Sequence, residues 1–377
     1  MTIYLAVLGI VMVLGCFVEI GKINNWNGWF VRGEKTYTLP LTNVFWALIF
    51  ITLVLFGGLR YMVGTDFAGY CEIFDNIAAD WYVETYAGTE RGYVWMNRII
   101  SLFTKESQAV IFAANLVICW LGVAALRKYS RFAPFGLYIF FTTLYYNSFN
   151  LIRQGMAASF VFLALGYAAD RKMVKCLLLV LAGSFFHKTA LMMAPVMFLM
   201  QFSYKPVVYW LFYLLSAAAS LSERGRDIIA NQLIGRFYPH VANDAATFNV
   251  DFSPTQVILC GLYLLLCVYY RKKMVEKNKG NIVYINFSIL IFSLYSIYFW
   301  LPMWSRLNMY FICMYALIVP AAIDCEESRR LKTLYYVILL GILLFFLVVP
   351  VLMGGGDWYY GTFFEKLAIL REEALWP

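Results

Sequence analysis

The chain is punctuated by apolar runs of roughly 15–20 residues that carry almost no charge, the length needed to cross a hydrocarbon core of about 30 Å. Lipid offers no hydrogen bonds to the backbone, so such runs must be helices or closed barrel strands. They are continuously apolar rather than alternating, which selects helices. Composition agrees: 62% of residues are hydrophobic and 14% charged, against about 45–50% and about 25% in a soluble domain. A soluble globular fold is excluded. The expectation is an all-α, polytopic membrane protein with about twelve spans, at 3–20, 42–60, 108–126, 134–152, 154–169, 174–187, 188–202, 206–221, 254–270, 281–303, 307–323 and 333–352. The runs between 174 and 202 are short enough to be tilted, broken or re-entrant.

Short basic loops orient these spans. Arg127, Lys128 and Arg131 form one cluster; Arg171, Lys172 and Lys175 a second; Arg271, Lys272, Lys273, Lys277 and Lys279 a third; Arg329, Arg330 and Lys332 a fourth. An even number of crossings separates each from the next, so all are expected on the cytoplasmic side. The net charge of +8 therefore reflects topology and gives no sign of nucleic-acid binding. Both chain ends and the long loops 61–107 and 222–253 then face outward. Phe67, Tyr70, Phe74 and Ile77 recur at helical spacing in the first of these loops, which predicts an amphipathic segment on the membrane surface. The tail after Gly354–Gly356 has a similar pattern. No repeat or linker divides residues 1–377, so one domain is expected. The first run lacks a basic leader and a clear cleavage site, and reads as a retained helix. The eight cysteines show no CxxC pair, and most lie in apolar runs as small core residues. Aromatic residues make up 19%, which bilayer belts and packing explain before sugar stacking does.

Charge within or beside a membrane is costly, so such residues are functional candidates. With this topology they fall on the outer side: Arg60, Asp66, Glu90, Arg153-Gln154, His187-Lys188 and Arg306. Each also has a plainer reading. Arg60 fits a snorkelling anchor. Arg306 follows Trp304 and fits an interfacial anchor. Asp66 and Glu90 fit solvated loop carboxylates, and His240 reads as loop structure. Arg153 is harder to dismiss, because with Gln154 it interrupts an apolar stretch from Pro134 to Ala169. Several outward arginines suggest an anionic ligand at the outer leaflet, since guanidinium binds phosphate bidentately and keeps its charge when buried. Arginines beside a His and a carboxylate suit a departing pyrophosphate and proton removal from an attacking hydroxyl. Arg153 and Arg306 are the first candidates for the pyrophosphate, then Arg60, with Gln154 and Lys188 alongside. His187 is the first candidate base, with Asp66 or Glu90 as alternatives.

The chain has no D-x-D pair, P-loop, HExxH or G-x-S-x-G motif, and only two histidines. Chemistry without a metal, cofactor or nucleotide donor is expected.

Taken together, Gly58-Leu59-Arg60, Gly64-Thr65-Asp66 with Tyr70, Glu90-Arg91-Gly92-Tyr93 with Asn97, Asn150-Leu151-Ile152-Arg153-Gln154 with Ala157, Phe186-His187-Lys188-Thr189-Ala190-Leu191 with Pro195, and Arg306 with Tyr310 resemble the EpsG family. That family is similar to the Wzy-type O-antigen and capsule polymerases. The resemblance spans about residues 58–320. It implies a bacterial inner-membrane enzyme that joins undecaprenyl-pyrophosphate-linked oligosaccharides at the outer, periplasmic face, with a fold like the GT-C membrane glycosyltransferases. It also implies membrane lipids, a flippase and a chain-length regulator as partners. Family members often carry a Tyr/Pro element near the C-terminus; here Asp357-Trp358-Tyr359-Tyr360-Gly361 has no proline, so no role is assigned to the tail. Two other classes stay open: a lipid-linked saccharide flippase or transporter, and a membrane O-acyltransferase acting on a surface glycan.

Overall fold

The computed structural model describes residues 2–32, 35–79, 89–234, 254–300, 304–352, 360–362 and 364–366. The side chains of Arg306 and of residues 346–352, together with His240 and positions 357–359, lie outside the described residues.

Helix dominates. α1 (Thr2–Ile23) and α2 (Leu41–Gly58) are joined by a hairpin of β1 (Asn27–Arg32) and β2 (Lys35–Pro40). Two helices follow in the first long loop, α3 (Phe67–Ala79) and α4 (Arg91–Ser101), before α5 (Gln108–Tyr129). Next come α6 (Ala133–Phe140), which continues through a π turn at Phe141–Tyr145, then α7 (Ile152–Ala169) and α8 (Met173–Ser184). A 3-10 turn (Lys188–Met192) leads into α9 (Met193–Leu199), followed by α10 (Pro206–Leu221) and the short α11 (Glu223–Asp227). Beyond it run α12 (Pro254–Tyr269), α13 (Arg271–Lys277), α14 (Ile282–Ile297), α15 (Trp304–Phe311), α16 (Tyr315–Ile323) and α17 (Arg329–Leu352). The other strands described are β3 (Arg60–Tyr61) and β4 (Gly361–Thr362), paired antiparallel.

Among the described residues five helices (α1, α2, α5, α7, and 279–297, which includes α14) are long and apolar enough to cross a membrane. The pair α12–α13, bent by 62°, is a sixth if its two halves form one span. Several shorter apolar helices accompany them. α8, with 12 residues, reaches only about 18 Å at 1.5 Å per residue, short of a core of about 30 Å. Burial separates centre from periphery: 78% of the most apolar stretch of α7 is buried, against 28% for α1. Leu178, Trp210, Leu214, Leu265 and Val337 stand exposed on the outer helices, more apolar surface than water tolerates. This is an all-helical membrane protein.

The two ends of the bundle differ in chemistry. At one end the basic loops meet. Arg127 donates to Asn43 Oδ1 (3.0 Å), Arg171 to Gln201 O (2.8 Å), and Arg271 to Tyr204 O (3.2 Å). Lys277 and Lys332 both pair with Asp324. The common side expected of these loops is thus a contiguous cap. The motif residues collect at the opposite end.

One expectation fails there. α3 has the amphipathic pattern read from the sequence, but Phe67, Tyr70, Phe74 and Ile77 are buried, with α3 packed on α4 and α5. Periodicity reveals an apolar face without revealing what covers it, and here the cover is protein rather than lipid.

A candidate active site around Glu90

The apolar run after α8 is broken without a proline. α8 stops at Ser184, His187 is extended (φ −156°, ψ 120°), and the 3-10 turn begins at Lys188. A break of this kind leaves backbone carbonyls and N–H donors without intrahelical partners. The start of α4 supplies what is missing. Gly92 N donates to Phe185 O (2.9 Å), and Lys188 N donates to Glu90 Oε1 (3.3 Å). A Cβ on Gly92 would sit 2.6 Å from Phe185 O, so only glycine lets α4 approach this closely.

Glu90, the residue before α4, is 6% exposed and is the hub of the site. Its Oε1 lies 2.7 Å from His187 Nδ1, and its Oε2 accepts from Arg153 Nη1 at 2.6 Å. Burial alone would raise its pKa. The His187 hydrogen bond and charge, with Arg153 behind them, outweigh that and hold it at about 2. Glu90 is therefore a carboxylate and can only accept. Nδ1 of a neutral His187 must carry the proton, which leaves Nε2 as a free base. Arg153 also hydrogen-bonds Tyr70 of α3, whose hydroxyl is raised by burial and partly lowered again by that guanidinium. Arg153 remains partly open, with its side chain 25% exposed.

The other motif segments are tied to this hub. Gly64 (φ +99°) packs so closely on Phe149 and Asn150 that a Cβ would clash with both, and Thr65 N donates to Asn150 Oδ1 (2.8 Å). Thr189 Oγ1 and Tyr310 Oη lie 2.8 Å apart, joining the 3-10 turn to α15, the helix that carries Arg306. Gln154 is buried in the first turn of α7. Two expected residues keep exposed side chains. Asp66 is exposed beside Thr65, and Lys188 reaches Glu90 through its backbone while its side chain is exposed.

Arg60 occupies a different surrounding. It is 2% exposed, its guanidinium lies over Phe149 (4.5 Å), and Nη1 donates to Gly57 O. Among the described residues no carboxylate pairs with it and its Nε has no acceptor, a costly state for a buried charge. The tail closes over this position. β4 pairs with β3 in the register Arg60↔Thr362, Tyr360 stacks on Phe56 (4.6 Å, 7°) and its hydroxyl donates to Phe56 O, and Lys366 pairs with Glu106. Sequence reasoning left the tail without a role. The available signal was Tyr360-Gly361 at the place of the family's Tyr/Pro element.

Fold and site together define a helical membrane protein with a buried Glu–His–Arg cluster at a helix break, at the end of the bundle away from its basic loops. The chain belongs to the EpsG family, whose model matches residues 43–361 and so takes in every segment of the cluster. No curated protein and no solved structure matches it. Among the described residues no three His, Cys, Asp or Glu side chains gather as a metal site would require.

Proposed function

We propose that this protein is a polysaccharide repeat-unit polymerase of the Wzy type, a glycosyltransferase in the bacterial inner membrane. In this reading the chain crosses the membrane twelve times in a GT-C-like arrangement, with the basic cap in the cytoplasm and the Glu90 end facing the periplasm. Donor and acceptor are oligosaccharides carried on undecaprenyl pyrophosphate.

The acceptor hydroxyl oxygen attacks the anomeric carbon of the growing chain. The new C–O bond forms as the bond from that carbon to the pyrophosphate oxygen breaks. Its electron pair leaves on undecaprenyl pyrophosphate, through a transition state of oxocarbenium character. His187 Nε2 takes the hydroxyl proton, and Glu90 holds the ring and its tautomer and stabilises the imidazolium. With neutral His187 the Glu90–Arg153 pair sums to zero charge; with the proton on His187 the cluster becomes +1 as negative charge grows on the leaving group. Arg153, with its partly open face, and Arg306 receive the pyrophosphate, with Arg60 the third candidate and Gln154 in the first turn of α7. Asp66 and Lys188, both exposed, border the site.

The observation that carries this reading is the 2.7 Å contact from Glu90 to His187 beside the 2.6 Å contact to Arg153. The test is a polysaccharide gel from a deletion strain. The ladder should collapse to a single repeat unit, return with the wild-type gene, and stay collapsed with Arg153→Ala at equal membrane abundance. A full ladder in the deletion strain removes the reading. A full ladder lacking O-acetyl groups would point to an acyltransferase instead.

A further inference from the structure

A concavity opens at the same end of the bundle. Its volume is about 350 Å³, within the range of about 300–1,000 Å³ typical of small-molecule clefts. Its walls come from segments far apart in sequence: Tyr61 of β3, Phe67, Glu72 and Asp75 of α3, Gln108 at the start of α5, and Lys366 of the tail. Gln108 is 6% exposed. Its Nε2 donates to Gly58 O (2.8 Å) and Arg60 O (2.9 Å), which leaves Oε1 to receive a donor. Lys366 is drawn across the cleft by Glu106.

This lining selects a kind of ligand. Glu72 and Asp75 line the cleft, and the charge of Lys366 is already paired by Glu106, so a phosphate or pyrophosphate is repelled. The carboxylates and the Gln108 carbonyl call for a ligand rich in hydroxyl or amino donors. Tyr61 adds apolar ring surface for C–H faces. A sugar ring offers both. The cleft is also close to the chemistry: α3 carries Glu72 and Asp75 to it and Tyr70 to Arg153, so about one helix diameter, 10–12 Å, separates the two.

We propose that this cleft is a saccharide subsite, holding an uncharged or amino sugar of the glycan next to the residue that reacts; the assignment rests on the polymerase reading. It gives the tail a function, since Lys366 forms one wall.

Glu72 and Asp75 are exposed and form no ion pair among the described residues, so Glu72→Gln with Asp75→Asn should leave the fold intact. The full chain carrying both changes is expressed in the deletion strain, with membrane abundance measured. A ladder shifted to short chains at wild-type abundance is expected, whereas Arg153→Ala yields no ladder. A wild-type ladder from the double variant overturns the subsite. If deletion leaves the strain's ladder intact, the polymerase reading falls by itself. The cleft is then judged by saturation-transfer NMR between the full chain in nanodiscs and lipid-free glycan from the same strain. Binding about tenfold weaker in the double variant, the scale of one lost charge-assisted hydrogen bond, sustains the subsite. Equal transfer, or none to either protein, overturns it.

Discussion

Thr189 Oγ1 and Tyr310 Oη meet at 2.8 Å in the buried interior, between segments 121 residues apart. This contact fixes α15, and with it the backbone position of Arg306, against the turn that presents His187. Thr189→Val and Tyr310→Phe should each lower stability by about 1 kcal/mol. The double variant should lose less than the sum, with a coupling of at least 0.5 kcal/mol by the usual scale for contacting residues. Thermal unfolding of the four proteins in detergent decides it, and strict additivity would mean the hydroxyls do not interact.

Glu90 makes stability depend on pH in a definite direction. Its pKa falls from 4.5 to about 2 on folding, so the unfolded chain binds the proton more readily than the folded one. The stabilisation is complete above 4.5 and drains away as pH falls towards 2. Wild type should therefore outlast Glu90→Gln above about pH 4.5, and the margin should shrink steadily as pH falls below it. Melting curves of both proteins across that range test this; a margin that stays level down to pH 3 would mean that Glu90 is not held as an ion.

Arg153 must satisfy Glu90 and Tyr70 and still offer a face to the leaving group. A lysine keeps the charge and loses the fork. Arg153→Lys should reach the membrane normally yet form polymer at a rate lower by about 10²-fold, the size of effect usual for one electrostatic donor. Recovery of wild-type chain length and rate with lysine would show that charge alone suffices.

His187→Gln tests the base separately. Glutamine can still donate to Glu90 but cannot take a proton, so packing should survive while turnover falls by about 10²–10⁴-fold. The variant should melt within a few degrees of wild type. A large drop in melting temperature would recast His187 as a structural residue.

Gly92→Ala places a methyl 2.6 Å from the Phe185 carbonyl oxygen, a backbone atom that cannot swing aside. The α4 start should move away from the helix break and carry Glu90 off His187 and Arg153. Expected results are a loss of about 2 kcal/mol, in the range of overpacked sites, and loss of polymer even at permissive temperature. Gly69→Ala, where nothing lies within 4 Å of an added Cβ, is the control that should behave as wild type.

Much of this protein follows from one-dimensional properties. Crossing a bilayer is a matter of apolar length, and the side a loop takes is a matter of where Lys and Arg fall, so membrane class and the shared side of the basic loops were legible. The polar residues that interrupt apolar runs, Arg153 and His187 above all, stood out because charge is expensive in such runs. Their roles were not legible. Glu90, readable as a solvated loop carboxylate or as an alternative base, found its partners only when the fold brought it to residues 63 and 97 positions away, and their hydrogen bonds and charge, against the pull of burial, are what keep it ionised. Asp66, as good a candidate by sequence, stays exposed because it sits at the rim of the turn docked on Asn150. The face of α3 and the seat of Tyr360 were decided the same way, by which surface lay opposite. Sequence by itself determined the class of protein, its family and the residues worth watching. Only tertiary packing decided which of them touch, since contact between distant segments depends on shape complementarity that no local pattern encodes.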